Sequence, residues 1–155
     1  MQTIKKSYAL YSLGLILLIL LTTKVKAQSA ETDKMAFLRE ADHEALQWGA
    51  CPEFMPASCR IAVLQGNPKE ADADIFFKLQ GNSAVPDHWH HSAERMVLVS
   101  GEMEVQYEEQ KPEVMNVGTY AYGPPEKVHE ARCLSEEPCV LFIAFDKPVD
   151  AFAAK

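Results

Sequence analysis

Residues Gly81 to Gly101, GNSAVPDHWHHSAERMVLVSG, carry the pattern on which the reading of this chain turns. The stretch holds His88, Trp89 and His90, then Glu94, and a lone His129 follows about forty residues downstream. On an extended strand, side chains at i and i+2 project from one face, so His88 and His90 point together. Glu94 follows a tight reversal over His91, Ser92 and Ala93 and begins the next strand. Gly101 supplies the turn after Val97-Leu98-Val99. A third imidazole, His129 from a distant strand, completes a set of three nitrogens and one carboxylate. Such a set suits a divalent transition ion: Mn, Fe, Ni, Zn or Cu.

The chain around this stretch reads as β structure. Short apolar or alternating runs cover residues 60–64, 74–79, 95–99, 103–107, 120–122, 128–133 and 140–145. Turn residues separate them, among them Gly66-Asn67-Pro68, Gly81-Asn82-Ser83, Gly118 and Gly123-Pro124-Pro125. Closely spaced strands with this punctuation predict a sandwich or barrel, and two packed antiparallel sheets of jelly-roll type fit the count. Residues 35–48 read differently. Met35, Leu38, Ala41, Ala45, Leu46 and Trp48 recur near the 3.6 period, which predicts one amphipathic N-terminal helix. His43 falls on its polar side and reads as solvated.

The spacing Gly81-x6-His88-x-His90-x3-Glu94-x6-Gly101 resembles the first conserved motif of the cupin family, and Gly118-x5-Pro124-x4-His129 resembles the second. The resemblance implies an all-β fold, a cupin-type β-barrel (jelly roll) in a single domain, with the short helix before it. It also implies that His88, His90, Glu94 and His129 bind one metal in the barrel mouth, leaving one or two positions for water or substrate. Two positions depart from the family pattern. Glu126 stands where a Gly is usual, and Cys133 where Asn is common. Both lie outside the ligand set. Alternation turns Trp89, His91 and Arg95 away from the cluster. Met96 and Leu98 share a face with Glu94 and read as apolar walls. Tyr107, Tyr120 and Tyr122 are candidates to donate a hydrogen bond to a ligand or substrate.

The ends and the composition bound the setting. Lys5 and Lys6 precede an apolar run from Tyr8 to Leu21, and Val25-Lys26-Ala27 offers small residues for cleavage, so 1–27 reads as a signal peptide. The rival is an uncleaved anchor. Residues 28–58 then form an N-terminal segment and 59–150 the barrel. Cleavage removes four of the 15 basic residues against 22 acidic ones, leaving a charge of −11. That argues against nucleic acid and anionic lipid as partners. Four Cys suggest disulfides in an oxidising compartment. Cys51 with Cys59 and Cys133 with Cys139 is the preferred pairing, since each pair brackets a short Pro-containing segment. Buried free thiols are the alternative.

Two functions remain open. In one, the chain is an exported (periplasmic or extracellular) metal-dependent oxidoreductase of dioxygenase type acting on a small organic molecule, with Glu94 as acid–base group. In the other, it is a ligand-binding or metal-sensing barrel without turnover, like the cupins attached to anti-sigma factors. An isomerase or decarboxylase would want a further acid–base residue that the sequence does not offer. A chain that acquires its metal outside the cytoplasm favours Mn, Zn or Cu, although the ligand set also accepts Fe or Ni. The family further implies a homodimer. No lysine or arginine pair is aimed at the site, so a multiply anionic substrate is not indicated.

Overall fold

The computed structural model describes residues 36–155. The signal peptide expected over 1–27, the polar stretch after it and Met35 lie outside the described residues. The strands are β1 (Trp48–Ala50), β2 (Arg60–Gln65), β3 (Ala73–Leu79), β4 (Ala84–Trp89), β5 (Glu94–Ser100), β6 (Met103–Tyr107), β7 (Glu113–Met115), β8 (Tyr120–Gly123), β9 (His129–Cys133), β10 (Cys139–Phe145) and β11 (Phe152–Ala153). They form two antiparallel sheets, ordered β1-β2-β3-β10-β5-β8 and β11-β4-β9-β6-β7. This is the jelly-roll arrangement expected from the strand count. Edge strands β1 and β11 extend the sheets beyond the 59–150 span expected for the barrel.

Alternation along the strands builds the interior. Glu94, Met96 and Leu98 of β5 are buried while Arg95 and Val97 are half-buried. On β6, Met103, Val105 and Tyr107 point inward in the same way. With Ile75, Leu79, Leu141 and Ile143 they make the main core between the sheets. Burial of one such side chain contributes about 1.5–3 kcal/mol, so the register is strongly specified. A one-residue slip would turn the whole set to solvent.

A second, smaller core lies on the other face of the six-stranded sheet, where Leu46 packs with Ala62, Phe76 and Val140. It explains a correction. No helix forms over the described part of residues 35–48. Residues 36–47 run as two tight turns closed by His43 N–H to Glu40 O and Leu46 N–H to His43 O, both 3.0 Å, and Trp48 opens β1. A helix would place Leu38 on the buried stripe, yet Leu38 is 90% exposed. Ala41, Leu46 and Trp48 instead cover the strongly apolar outer face of β3 and β10. An irregular cover that also feeds β1 into sheet pairing meets that need.

The disulfides join Cys51 to Cys59 and Cys133 to Cys139, the local pairing preferred from the spacing. The second closes the loop that presses on Gly81. A Cβ there would stand 1.9 Å from the carbonyl oxygen of Glu136, so only glycine fits. Gly101 turns with φ +84° and also abuts Cys139.

Glu126 has φ 62°. The backbone at this position thus keeps the left-handed form that glycine takes without strain, although this chain carries a glutamate there. Its peptide N–H donates to His90 O at 2.7 Å, which ties the turn to the histidine pair. Since the Glu126 side chain is exposed, Glu126→Gly should relieve strain of about 1 kcal/mol and raise Tm by a few degrees. Thermal unfolding checks this, and a lower Tm would contradict it.

Candidate metal centre

Strand pairing places the cluster. β4 and β9 run side by side with His88 opposite His129, after an irregularity between Val85 and His88. β9 and β6 place His129 opposite Tyr107. Tyr107, His129 and His88 therefore form a row across one sheet. The His88 and His129 rings stand 4.1 Å apart, and Tyr107 stacks on His129 at 4.8 Å. His90 lies just past the end of β4, where the chain crosses to the facing sheet. Buried Ser92 pins that crossing: its hydroxyl accepts the Asp146 and Lys147 N–H groups at 2.8 and 3.0 Å and donates to Ala93 O at 2.7 Å. Glu94 then opens β5, facing the row. The nitrogens of His88, His90 and His129 lie within 4.8 Å of one another.

Each imidazole is oriented by a carbonyl. His88 Nδ1 donates to Pro86 O at 2.8 Å, His129 Nδ1 to Lys127 O at 3.0 Å, and His90 Nδ1 to Asp150 O. A carbonyl only accepts, so the proton sits on Nδ1 and the lone pair on Nε2. The three Nε2 atoms are thereby committed as acceptors in one small space. Buried His90 Nε2 has no hydrogen-bond partner among the described residues. Glu94 places Oε1 3.4 Å from His90 Nε2 and Oε2 3.4 Å from His129 Nε2. Ligands about 2.1 Å from one ion stand roughly 3.0–3.4 Å apart, which the two Glu94 contacts match, and the three histidine nitrogens, within 4.8 Å of one another, could hold a divalent transition metal. The oriented tautomers and the orphaned Nε2 carry that fit.

Burial governs the charges. Desolvation, with His90 adding to it, lowers His88 to about 4, and desolvation, with His88 adding, lowers His129 to about 3. Both rings are neutral near pH 7 and ready to bind a cation. Desolvation raises the Glu94 carboxyl above its usual range, against the pull of His90. Tyr107 is pushed up by burial and by Glu94, and its buried hydroxyl has no hydrogen-bond partner among the described residues.

The site opens into a cavity of about 140 Å³ between the sheets. Ile61, Ile75, Phe77 and Leu141 line it, together with Met96 of β5 and with Cys51, Pro52 and Met55 of the disulfide-closed loop. Leu98, expected beside the metal, is fully buried in the core and does not line the cavity. Tyr120 and Tyr122 are exposed on the outer edge, at 59% and 53%, and cannot serve the site. Their strand β8 takes Gly123, not a tyrosine, opposite Glu94. Trp89 stacks on Phe152 and Arg95 pairs with Asp146, both away from the cluster as alternation predicts. His43 sits in the N-terminal cover, where Nδ1 accepts the Ala45 N–H at 3.1 Å.

Sequence reasoning missed Asp150. Its carbonyl holds His90, and its carboxylate accepts the His91 N–H at 3.0 Å and meets His91 Nδ1 at 2.7 Å. No local signal marks it, since it lies sixty residues away along the chain. Ser92 was visible between the ligands, but its role appears only when the end of β10 is brought beside it.

Several comparisons with known proteins bear on the fold. The family described as ChrR Cupin-like domain matches residues 39–148. No curated protein matches the sequence. Among solved structures, a DMSP lyase of Ruegeria pomeroyi DSS-3 superposes with TM-score 0.62 at 16% identity, covering 70% of this chain and 61% of that one. A cupin-2 domain protein of Rhodospirillum rubrum gives TM-score 0.63 at 11% identity, with 78% and 83% covered. An oxalate decarboxylase of Lactobacillus farciminis gives 0.57 at 15% identity, with 70% and 33% covered. The chain thus spans less than two thirds of the lyase and a third of the decarboxylase. At these identities the likeness establishes the fold alone.

His88→Ala, His90→Ala and His129→Ala should each abolish tight binding of one equivalent of metal, and His43→Ala should leave it intact. Elemental analysis of dialysed protein reads this, and an unchanged content in the His129 variant would refute the ligand set. Acid should also destabilise the metal-free protein. His88 and His129 fall below the ordinary 6.5, so the unfolded chain takes up protons first. Their contribution is present above pH 6.5 and lost as pH falls through about 4 and about 3. Glu94 runs the other way, adding stability below pH 4.5 that is lost as pH rises through its raised pKa. Two imidazoles against one carboxyl leave a net loss on acidification. Urea midpoints should therefore fall from pH 6.5 to 4, and a flat profile would contradict this.

Proposed function

Because the chain belongs to the ChrR Cupin-like domain family, whose match spans residues 39–148, we propose that it is an exported, mononuclear metal-dependent oxidoreductase of dioxygenase type acting on a small organic molecule. One observation carries this reading: three oriented histidine nitrogens and a buried carboxylate stand at the polar end of an otherwise apolar cavity. A divalent ion held there supplies Lewis-acid chemistry and, if redox-active, electron transfer at a donor atom of the substrate. His88, His90 and His129 hold the ion, and the carbonyls of Pro86, Asp150 and Lys127 keep their rings aimed. Glu94 is the proton carrier. Its raised pKa lets it accept a proton from a substrate and hold it inside a water-poor site. Ile75, Phe77 and Leu141 exclude water from the reacting end.

Export rests on the leader pattern of residues 1–27 and is supported by the two disulfides, which suit an oxidising compartment. It favours Mn, Zn or Cu over Fe or Ni. The substrates named for the structural neighbours, DMSP and oxalate, are not adopted. Among the described residues, no lysine or arginine lines the cavity to pair with a carboxylate away from the ion.

A second reading, a metal- or ligand-sensing barrel without turnover, is favoured by the strap on His90. The chain after β10 holds that ligand through Asp150, is tied by Val149 N–H to Pro68 O at 2.8 Å, and stacks Phe152 on Trp89. A change at the metal thus reaches the C-terminal residues directly.

Protein from its native compartment should carry one equivalent of metal and consume O₂ with a member of a panel of phenols, diketones and small organic acids. Uptake lost in Glu94→Gln with metal retained supports the enzyme. Metal without uptake on any member refutes the enzyme and leaves the sensor.

A further inference from the structure

We propose that Tyr107 is a positioning residue of the metal centre, its hydroxyl holding Glu94 Oε2 so that the carboxylate meets the ion through Oε1. The inference rests on the metal reading above and deepens it. Strand pairing places the two groups. Tyr107 of β6 lies opposite His129, and its ring stacks on the imidazole at 4.8 Å with 27° between the planes. In the facing sheet, Gly123 of β8 lies opposite Glu94 of β5. A Cβ at Gly123 would stand 2.4 Å from the Tyr107 hydroxyl oxygen and 3.2 Å from Glu94 Oε2. The two oxygens, one from each sheet, thus converge on the space that this glycine leaves open.

Burial decides what the hydroxyl can reach. The ring belongs to the main core, and the oxygen has no hydrogen-bond partner among the described residues. A buried hydroxyl without a partner is destabilising, so the group calls for an acceptor. Tyr107 is not among the residues that line the cavity, so its hydroxyl is set against the ligands and not against a substrate. His129 offers the tyrosine a ring face, while its Nε2 points to Glu94. Glu94 Oε2 is the acceptor that remains. The last torsion of a glutamate is soft, so the carboxyl group can turn Oε2 toward the hydroxyl without moving β5. Oε1, on the His90 side, is then the single oxygen left for the ion. A group that orients a ligand in this way tunes how tightly the metal is held.

The test reads metal affinity, not turnover: Co(II) binding in competition with a chromogenic chelator. Tyr107→Phe keeps the ring on His129 and removes only the oxygen. It should still bind one equivalent, but about tenfold or more weakly, with a changed visible spectrum of the bound Co(II). In a Glu94→Ala background the same substitution should leave affinity unchanged. Wild-type affinity in Tyr107→Phe overturns the proposal while the metal site stands. So does a loss that persists without Glu94, which would assign the effect to His129. The metal-free Tyr107→Phe protein should unfold at or above the wild-type temperature, since the oxygen removed has no partner there. A fall would make Tyr107 a packing residue and overturn the proposal. Gly123→Ala should lower Tm by crowding the hydroxyl, and adding Tyr107→Phe should restore most of the loss. No recovery overturns the convergence of the two oxygens. Failure of the wild type to take up cobalt overturns this proposal together with the metal site.

Discussion

Three imidazoles and a carboxyl group stand together inside an apolar barrel, and burying them is costly unless each is satisfied. The fold meets that constraint in two stages. Backbone carbonyls of Pro86, Lys127 and Asp150 each accept a hydrogen bond from the Nδ1–H of one ring. The other nitrogens are left facing one another and Glu94, an arrangement that becomes favourable when a cation stands between them. The lowered pKa values of His88 and His129 follow from the same burial, so these two rings are neutral donors at neutral pH. Much of the surrounding structure serves this arrangement. The irregular pairing of β4 with β9 puts His88 opposite His129, Ser92 pins the crossing to β5, and the strap after β10 fixes His90.

That strap and the Cys51–Cys59 loop approach the site from opposite ends of the chain. One positions His90 and the other lines the cavity. Neither lies within the two motifs, yet both touch the space where a bound molecule would sit. The histidine cluster thus comes from β4, β9 and the crossing after β4, whereas segments flanking the strands line the space beside it. Function on a common fold is expected to vary in just such segments.

The two departures from the cupin pattern show how local changes are absorbed. Glu126 keeps the left-handed backbone of the glycine it replaces and uses its N–H to hold His90 O. Cys133 is buried in the main core, and its bond to Cys139 closes the loop that crowds Gly81. Neither substitution disturbs the ligands.

The sequence by itself determined seven of the strands, the shared inward face of Glu94, Met96 and Leu98, the grouping of the three histidines with Glu94, and the preferred pairing of the cysteines. These are local facts: a period of two along a strand, a short loop between cysteines, ligand types at fixed spacing. Alternation likewise sent Trp89 and Arg95 outward. Only the tertiary structure decided the rest. Residues 36–47 share a helical period, but their burial depends on the outer face of a sheet built from β3 and β10, which favours an irregular cover. Tyr107 faces the site and Tyr122 faces solvent because one lies beside β9 in the inner row and the other on an edge strand. Asp150 backs His90 from sixty residues away. Periodicity reports which face a residue takes. It does not report what the rest of the chain brings against that face.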